Sequence, residues 1–430
     1  MKSSLIHCDW VIPVVGAPIA DAVVAVEAGR IGWLGERADL PQRYQTPGVP
    51  VRKLHGVMLP GLVNAHTHLQ YTLFSEVGAA QYGNFEHWCE AFEERFAAVV
   101  DPEDWANSAA QGAHQSLCAG TTVFCDIITH DEARGAFSRY GCAGIEYLEA
   151  IAALSEAWSK SERNAFIERL GRPSRALTGI SPHAPYSLDP DVIRDLVAIA
   201  ALQKLRVHSH LAESSEEDAL YLHGGSAVLD IYGPLSTEFA LMRSGGAGMK
   251  AGQYAASVGL LNDSTHVAHG IYLDRNQRDL LKNAGTRVAL CPRSNATIGL
   301  AQPPVAAYLE EGHDICVGTD SLASAPSLDL MADVALLYSI AKAQGYTGPD
   351  LAKRLIEAAT AGGARALGLY EQGYGTLVPG GPADLAVFSL SANKDPSANK
   401  DSLETRIVKN AAGHCVLTMV NGEVVHDVAT

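Results

Sequence analysis

From Gly120 to Gly318 the chain alternates short apolar runs with stretches of helical periodicity, and that alternation leaves few folds open. Gly120–Asp126, Gly141–Leu148, Leu177–Ser181, Leu205–His210, Thr265–His269, Arg287–Leu290 and Asp314–Gly318 each read as a strand. Pro102–Cys118, Asp189–Gln203 and Asp274–Asn283 read as helices, the second opened by an Asp-Pro pair. A further run, Val57-Met58-Leu59, leads into Asn64-Ala65-His66 and supplies the remaining strand. Eight strands separated by helices predict a (β/α)8 TIM-like barrel, an α/β fold. An open doubly wound sheet normally places a Gly-rich phosphate turn after its first strand, and this chain has none there.

The two ends read differently. Ala22–Leu34 and Cys415–His426 each look like a hairpin with a glycine in its turn, and both fall outside the barrel. They are expected to meet as a small β-sandwich built from both termini. This assigns residues 1–59 and 373–430 to the sandwich and 60–372 to the barrel. Gly224–Gly252, Gly-rich, lies between the fifth and sixth strands, where a loop can cover the barrel mouth. Ser391–Asp401 carries Ser-Ala-Asn-Lys-Asp twice and reads as a polar surface loop.

The formal net charge of −16 argues against nucleic acid or an anionic membrane as partner, since either wants a basic face. No apolar run is long enough to span a bilayer. The N-terminus, broken early by His7, Cys8 and Asp9, does not read as a signal peptide. Eight cysteines without a C-x-x-C pair predict reduced thiols, and the cytoplasm is the expected compartment.

A barrel of this class builds its active site from the C-terminal ends of its strands. Those ends carry His66 and His68, His183, His210 with Glu213, His269, and Asp320. His66 and His68 are two apart on a strand, so they share a face. Three histidines and a carboxylate suit a borderline divalent cation, most simply zinc with one open position. Taken singly, several have plainer explanations. His183 can be a hydrogen-bonded core residue, Asp320 a helix N-cap, and His208 a core or supporting histidine. It is their joint placement that points to a site.

The segments PGLVNAHTHL, GTTVFCD, SPHAPYSL, HLAES, AHGIYL, CPRSN and GTDS resemble the amidohydrolase superfamily. Within it they are closest to the deaminase and chlorohydrolase group. GTLVPGGPADLAVF resembles that family's return into the terminal sheet. The resemblance implies that His66, His68, His210 and Asp320 hold one divalent metal, zinc or alternatively iron. It also implies that Glu213, His269 and Asp320 serve the chemistry. A glutamate three residues past a ligand is suited to carry a proton from the attacking water to a ring nitrogen. Dinuclear relatives use a carboxylated lysine near the fourth strand; LTGISPHAPYSL has none, so one metal is expected. The cytidine-deaminase zinc motif requires P-C-x-x-C, which is absent.

The resemblance further implies a hydrolytic deaminase acting on an adenine-containing nucleoside. Aminodeoxyfutalosine, of menaquinone biosynthesis, is the first candidate; methylthioadenosine, S-adenosylhomocysteine and adenosine follow. Rival readings are another ring (guanine, 8-oxoguanine or a triazine) or a non-catalytic scaffold on the same fold. Expected substrate contacts are His183, Gln70, Trp88 of Phe85-Glu86-His87-Trp88, and Arg293 and Asn295 of CPRSN. Trp88 also fits a plain amphipathic helix face. Arg293 can pair with a substrate carboxylate or sit in an ordinary ion pair. A small-molecule substrate and a homo-oligomer are the expected partners.

Overall fold

A computed structural model describes residues 3–225, 227–390 and 401–428. All of the Ser391–Asp401 repeat but its last residue lies outside them.

Eight parallel strands form one sheet: β5 (Leu62–Thr67), β6 (Thr121–Ile128), β7 (Ala143–Ala150), β8 (Leu177–Pro182), β9 (Val207–Leu211), β10 (Thr265–His269), β11 (Arg287–Leu290) and β12 (Ile315–Val317). Each neighbours the next in sequence order. The two ends of the series meet where Thr67 bridges Asp320 and the Asp320 amide donates to the His66 carbonyl at 3.0 Å. Gly318 makes that closure sterically open. A Cβ there would stand 2.7 Å from the His66 Cβ, which only glycine avoids.

The barrel strands read as continuous apolar runs because both faces are covered, one by helices and one by the packed interior. β5, β6, β9 and β10 are buried along their whole length. The predicted helices form at Pro102–Cys118, Pro190–Gln203 and Arg275–Ala284. The first and last are capped as their sequences imply. Asp101 accepts from the Glu103 amide, Asp274 from the Gln277 amide, and Gly285 closes the last helix at a left-handed φ of 75°. Asp189 stands at the N-cap of the middle helix but does not cap it. Its carboxylate takes the amides of Ser155 and Ala240 instead, tying down a loop over the barrel mouth.

Both termini build a second, seven-stranded sheet. Its strands are β1 (Ser3–Val11), β2 (Ile19–Glu27), β3 (Arg30–Glu36), β4 (Val51–Pro60), β13 (Leu385–Phe388), β14 (Cys415–Val420) and β15 (Glu423–Asp427). The two expected hairpins are β2–β3 and β14–β15, both antiparallel. Ile6, Val24, Ile31, Met58, Leu385 and Leu417 share one core, so the sheet curls over its own apolar face. Val57-Met58-Leu59 belongs here, in β4, which pairs with β1 and β13. The barrel's first strand starts only at Leu62, after the Pro60-Gly61 break that ends β4.

All eight cysteines are free thiols. Among the described residues no helix is long and apolar enough to cross a membrane.

Candidate active site

The strand ends converge as the fold requires. Imidazole nitrogens of His66, His68 and His210 lie within 4.8 Å of one another, as do the ligand-capable atoms of His66, His269 and Asp320. His68 Nε2 stands 3.3 Å from His210 Nε2, while Asp320 Oδ1 is 3.5 Å from His66 Nε2 and 3.8 Å from His68 Nε2. His210 donates from Nδ1 to the His183 carbonyl at 2.7 Å, which leaves its Nε2 lone pair facing the cluster. Burial pushes His66 down to about 4 and His68 well below the usual imidazole range, so these rings are neutral and able to ligate.

Burial opposes the charged form of Asp320. The imidazoles of His66, His68 and His269 clustered beside it nevertheless hold its carboxyl well below the ordinary range. Its other oxygen, Oδ2, accepts from Ser294 at 2.7 Å and Ser324 at 2.8 Å, which aims Oδ1 at the histidines. Both ring nitrogens of His66 and Nδ1 of His68 are buried without a hydrogen-bond partner. Orphaned nitrogens of this kind are costly in a dry interior. A divalent cation would satisfy the inward-facing ones. The donor set therefore fits a cation of the zinc class, with His66, His68, His210 and Asp320 as its holders.

Backbone strain is concentrated at the same place. Ala212 (φ 52°), His269 (φ 72°) and Asp320 (φ 59°) all adopt the left-handed region that side chains other than glycine rarely enter. Each follows or ends a barrel strand and turns the chain at the mouth. Glu213 is positioned by this turn after Ala212. Its Oε1 lies 3.5 Å from His269 Nε2, and burial, reinforced by Asp320 and opposed by His210, pushes its carboxyl up to about 7.

Glu217 holds that turn, and sequence reading did not single it out. Its carboxylate accepts the backbone amides of Ala212 (2.9 Å), Glu213 (2.7 Å) and Ser214 (3.2 Å). Burial pushes it up to about 8 even against those three donors. The signal available was its position four residues after Glu213, at the head of the helix Glu216–His223.

The cavity above the cluster is lined by His68, Tyr71, Trp88, His183, His210, Glu213 and Asp320, among others, and holds about 130 Å³. Phe85, Cys89 and Glu93 line it and also a wider vestibule of about 490 Å³, walled further by Glu86, Glu90, Glu216, Tyr272 and Leu300. Tyr232, from the segment Ala227–Glu238 inside the Gly-rich stretch, closes part of the inner cavity. Trp88 faces the cavity with its indole N–H donated to the Ala323 carbonyl at 2.9 Å.

Three expected substrate contacts are placed elsewhere. The Gln70 amide is spent inside the protein, donating to Thr129 Oγ1 at 2.7 Å and accepting the His130 amide at 3.1 Å. Asn295 puts Oδ1 3.3 Å from His269 Nδ1, so it orients that ring, and it does not line the cavity. Arg293 is saturated: its guanidinium donates to Asp333 Oδ2, to the Ser327 hydroxyl and carbonyl, and to the Asp329 carbonyl. Among the described residues, no lysine or arginine lines either cavity.

Arg293 is instead the partner of a carboxylate with no solvent exposure at all. Arg293→Met is expected to lower the unfolding free energy by about 3–5 kcal/mol, because it strands Asp333 in a dry site. Denaturant unfolding measures this. Unchanged stability with a loss confined to carboxylate-bearing substrates would return Arg293 to the substrate pocket.

One layer deeper, His208 stacks on His66 with ring centroids 4.8 Å apart, and His266 Nε2 donates to the Ala65 carbonyl at 3.0 Å with Cys125 Sγ 3.5 Å away. These groups fill the barrel interior below the cavity, which accords with the supporting position expected of His208.

The amidohydrolase family model matches residues 57–425. The 5-methylthioadenosine/S-adenosylhomocysteine deaminase of Nitratidesulfovibrio vulgaris (strain Hildenborough) is 31% identical over 422 residues, covering 95% of this chain and 88% of that protein. Among solved structures, an adenosine deaminase from Xanthomonas campestris with bound zinc superposes with a TM-score of 0.80 at 24% identity, covering 98% of this chain and 92% of that one. Helicobacter pylori aminofutalosine deaminase gives 0.77 at 19% identity, covering 98% and 100%. At those identities the structural likeness speaks for the fold.

Proposed function

The chain belongs to the amidohydrolase family and is a hydrolytic deaminase, and from that premise we propose that its substrate is an adenine nucleoside carrying a substituent on its 5′ carbon. The observation that carries the reading is the two-part cavity. A confined chamber over the histidine cluster continues past Phe85, Cys89 and Glu93 into a vestibule several times larger. A ring placed in the chamber leaves the far end of the nucleoside in the vestibule. The sequence relation to a methylthioadenosine and S-adenosylhomocysteine deaminase supports the same class.

The residues divide the chemistry as follows. His66, His68, His210 and Asp320 would hold the divalent cation, which, when bound, makes a water nucleophilic near neutral pH. Glu213, close to neutrality in its proton affinity, takes a proton from the attacking water and delivers it to the adjacent ring nitrogen. That protonation makes the amidine carbon electrophilic enough to be attacked. His269, fixed by Asn295 and facing Glu213, steadies the oxygen that develops charge. The remaining proton, from the hydroxyl now on that carbon, passes to the exocyclic amine; the C–N bond breaks, ammonia leaves and the carbonyl forms. Trp88, Tyr71 and Phe85 supply flat apolar walls that exclude water from the ring.

Aminodeoxyfutalosine fits this description through its adenine and its bulky 5′ arm, but Arg293, spent on Asp333, is not available to its carboxylate. Its carboxylate would enter a vestibule walled by Glu86, Glu90, Glu93 and Glu216. Ammonia release from adenosine, methylthioadenosine, S-adenosylhomocysteine and aminodeoxyfutalosine tests the proposal. At least one 5′-substituted compound is expected to exceed adenosine in kcat/KM. Adenosine as the best of the four would sink the 5′-substituent reading. Turnover of guanine or a triazine instead would sink the adenine reading.

A further inference from the structure

One buried carboxylate in the inner chamber has no part in the chemistry above. Glu149, at the C-terminal end of β7, is 6% exposed and lines the same cavity as His183 and Glu213. Its Oε2 accepts the Thr129 hydroxyl at 2.6 Å, while its Oε1 is buried with no hydrogen-bond partner. An unpaired buried carboxylate oxygen is expensive, and it is retained where a ligand completes it.

The surroundings fix which way Glu149 points. Gln70 Nε2 and the Tyr71 hydroxyl both donate to Thr129 Oγ1, at 2.7 and 3.2 Å, so the one proton Thr129 owns goes to Glu149 Oε2. The Glu149 carbonyl is held by Arg169 at 2.8 Å. The free oxygen is therefore a fixed acceptor.

Beside it stands a second acceptor. Ser187 donates its proton to the Ala184 carbonyl, so at 2.9 Å it accepts from His183 Nδ1–H. A ring protonated at Nδ1 leaves His183 Nε2 as a lone pair. Ligand-capable atoms of Glu149, His183 and His210 lie within 4.8 Å of one another. Two adjacent acceptors without a donor between them call for two adjacent donors on the ligand.

We propose that Glu149 is a specificity-determining residue that, with His183, accepts hydrogen bonds from the vicinal hydroxyls of a ribose. The inference rests on the nucleoside reading above and deepens it. It assigns to β7 a selectivity for ribonucleosides over their deoxy counterparts, which the metal cluster and Glu213 do not supply.

The test compares adenosine with 2′-deoxyadenosine and 3′-deoxyadenosine in the metal-loaded wild type and in E149Q. In the wild type, loss of at least one hydroxyl is expected to lower kcat/KM by about ten- to a hundredfold, the range for a hydrogen bond to a charged group. In E149Q the amide oxygen must face the Thr129 proton, which turns the amide NH2 into the cavity and replaces an acceptor by a donor. The ribo-to-deoxy ratio is expected to collapse toward unity, chiefly through KM for adenosine, with metal content retained.

Equal wild-type efficiency on all three nucleosides would overturn the ribose contact while leaving the deaminase assignment standing. Equal losses on all three in E149Q would make Glu149 structural and overturn its role in selectivity. No turnover of any adenine nucleoside would instead overturn the nucleoside reading, and this proposal with it. If E149Q does not fold, E149D withdraws the carboxylate by one methylene and is expected to give the same collapse; an undiminished ratio there overturns the proposal.

Discussion

In Glu213→Gln, bound metal is expected to persist while kcat falls by ~10²–10⁴, the usual worth of a proton carrier. The substitution keeps the shape of the side chain and its distance from His269, and removes only its ability to take and give a proton. The environment explains why this residue suits the task. Burial pushes its carboxyl up to about 7, whereas Asp320, three strands further on after β12, is held well below the ordinary range. Two carboxylates whose proton affinities are driven apart by their surroundings divide naturally into a proton carrier and a permanent anion. A group that must begin ionised loses function as pH falls through its pKa. The acid limb of the wild-type profile is therefore expected at or below that value, since a bound cation's charge draws it down, and it should disappear in Glu213→Gln. Near-normal turnover in the variant would mean that another group moves the proton.

The strands and the histidine cluster were legible because their signals are local and repeated. A fully buried parallel strand must be apolar along its length, and the chemistry of the family class sits at a fixed end of each one. His66 and His68 announce themselves by spacing, and Asp320 by the Gly-Thr that precedes it. The misreadings have a different source. Val57–Leu59 is apolar like a barrel strand but pairs with β1 and β13 in the terminal sheet, and no local pattern reports which sheet will claim an apolar run. Arg293 looked free because its partner, Asp333, is 40 residues further on, in the helix Leu330–Ala343. Gln70 looked exposed to substrate for the same reason, its partners at Thr129 and His130 being brought in by β6. Glu217 and Glu149 went unremarked because a lone glutamate carries no pattern. Their roles come from what the fold places against them: three backbone amides of one turn in one case, the wall of the inner cavity in the other.

If His66, His68, His210 and Asp320 hold the cation as proposed, removal of any one of them should abolish both metal and turnover. His66→Ala deletes a ring that makes no protein hydrogen bond through either nitrogen, so a bound cation would be what completes it. Asp320→Ala removes the only carboxylate of the set and also leaves the hydroxyls of Ser294 and Ser324 without their acceptor. Asp320→Asn separates the two effects: it can still accept from those serines but brings no charge to the cation. Chelation of the wild type should reproduce the loss of activity and lower the melting temperature, because a ligand that binds only the folded state at about a thousand times its Kd contributes about 4 kcal/mol. Proton competition should be slow to set in as the solution is acidified. His66 is held down to about 4 by burial, so that ligand stays neutral until well below physiological pH. Elemental analysis of the intact protein should find about one metal per chain, the number four converging ligands support. A reproducible ratio near two, accompanied by a modified lysine, would overturn the mononuclear site, since the fourth-strand segment LTGISPHAPYSL offers no lysine to bridge a second ion.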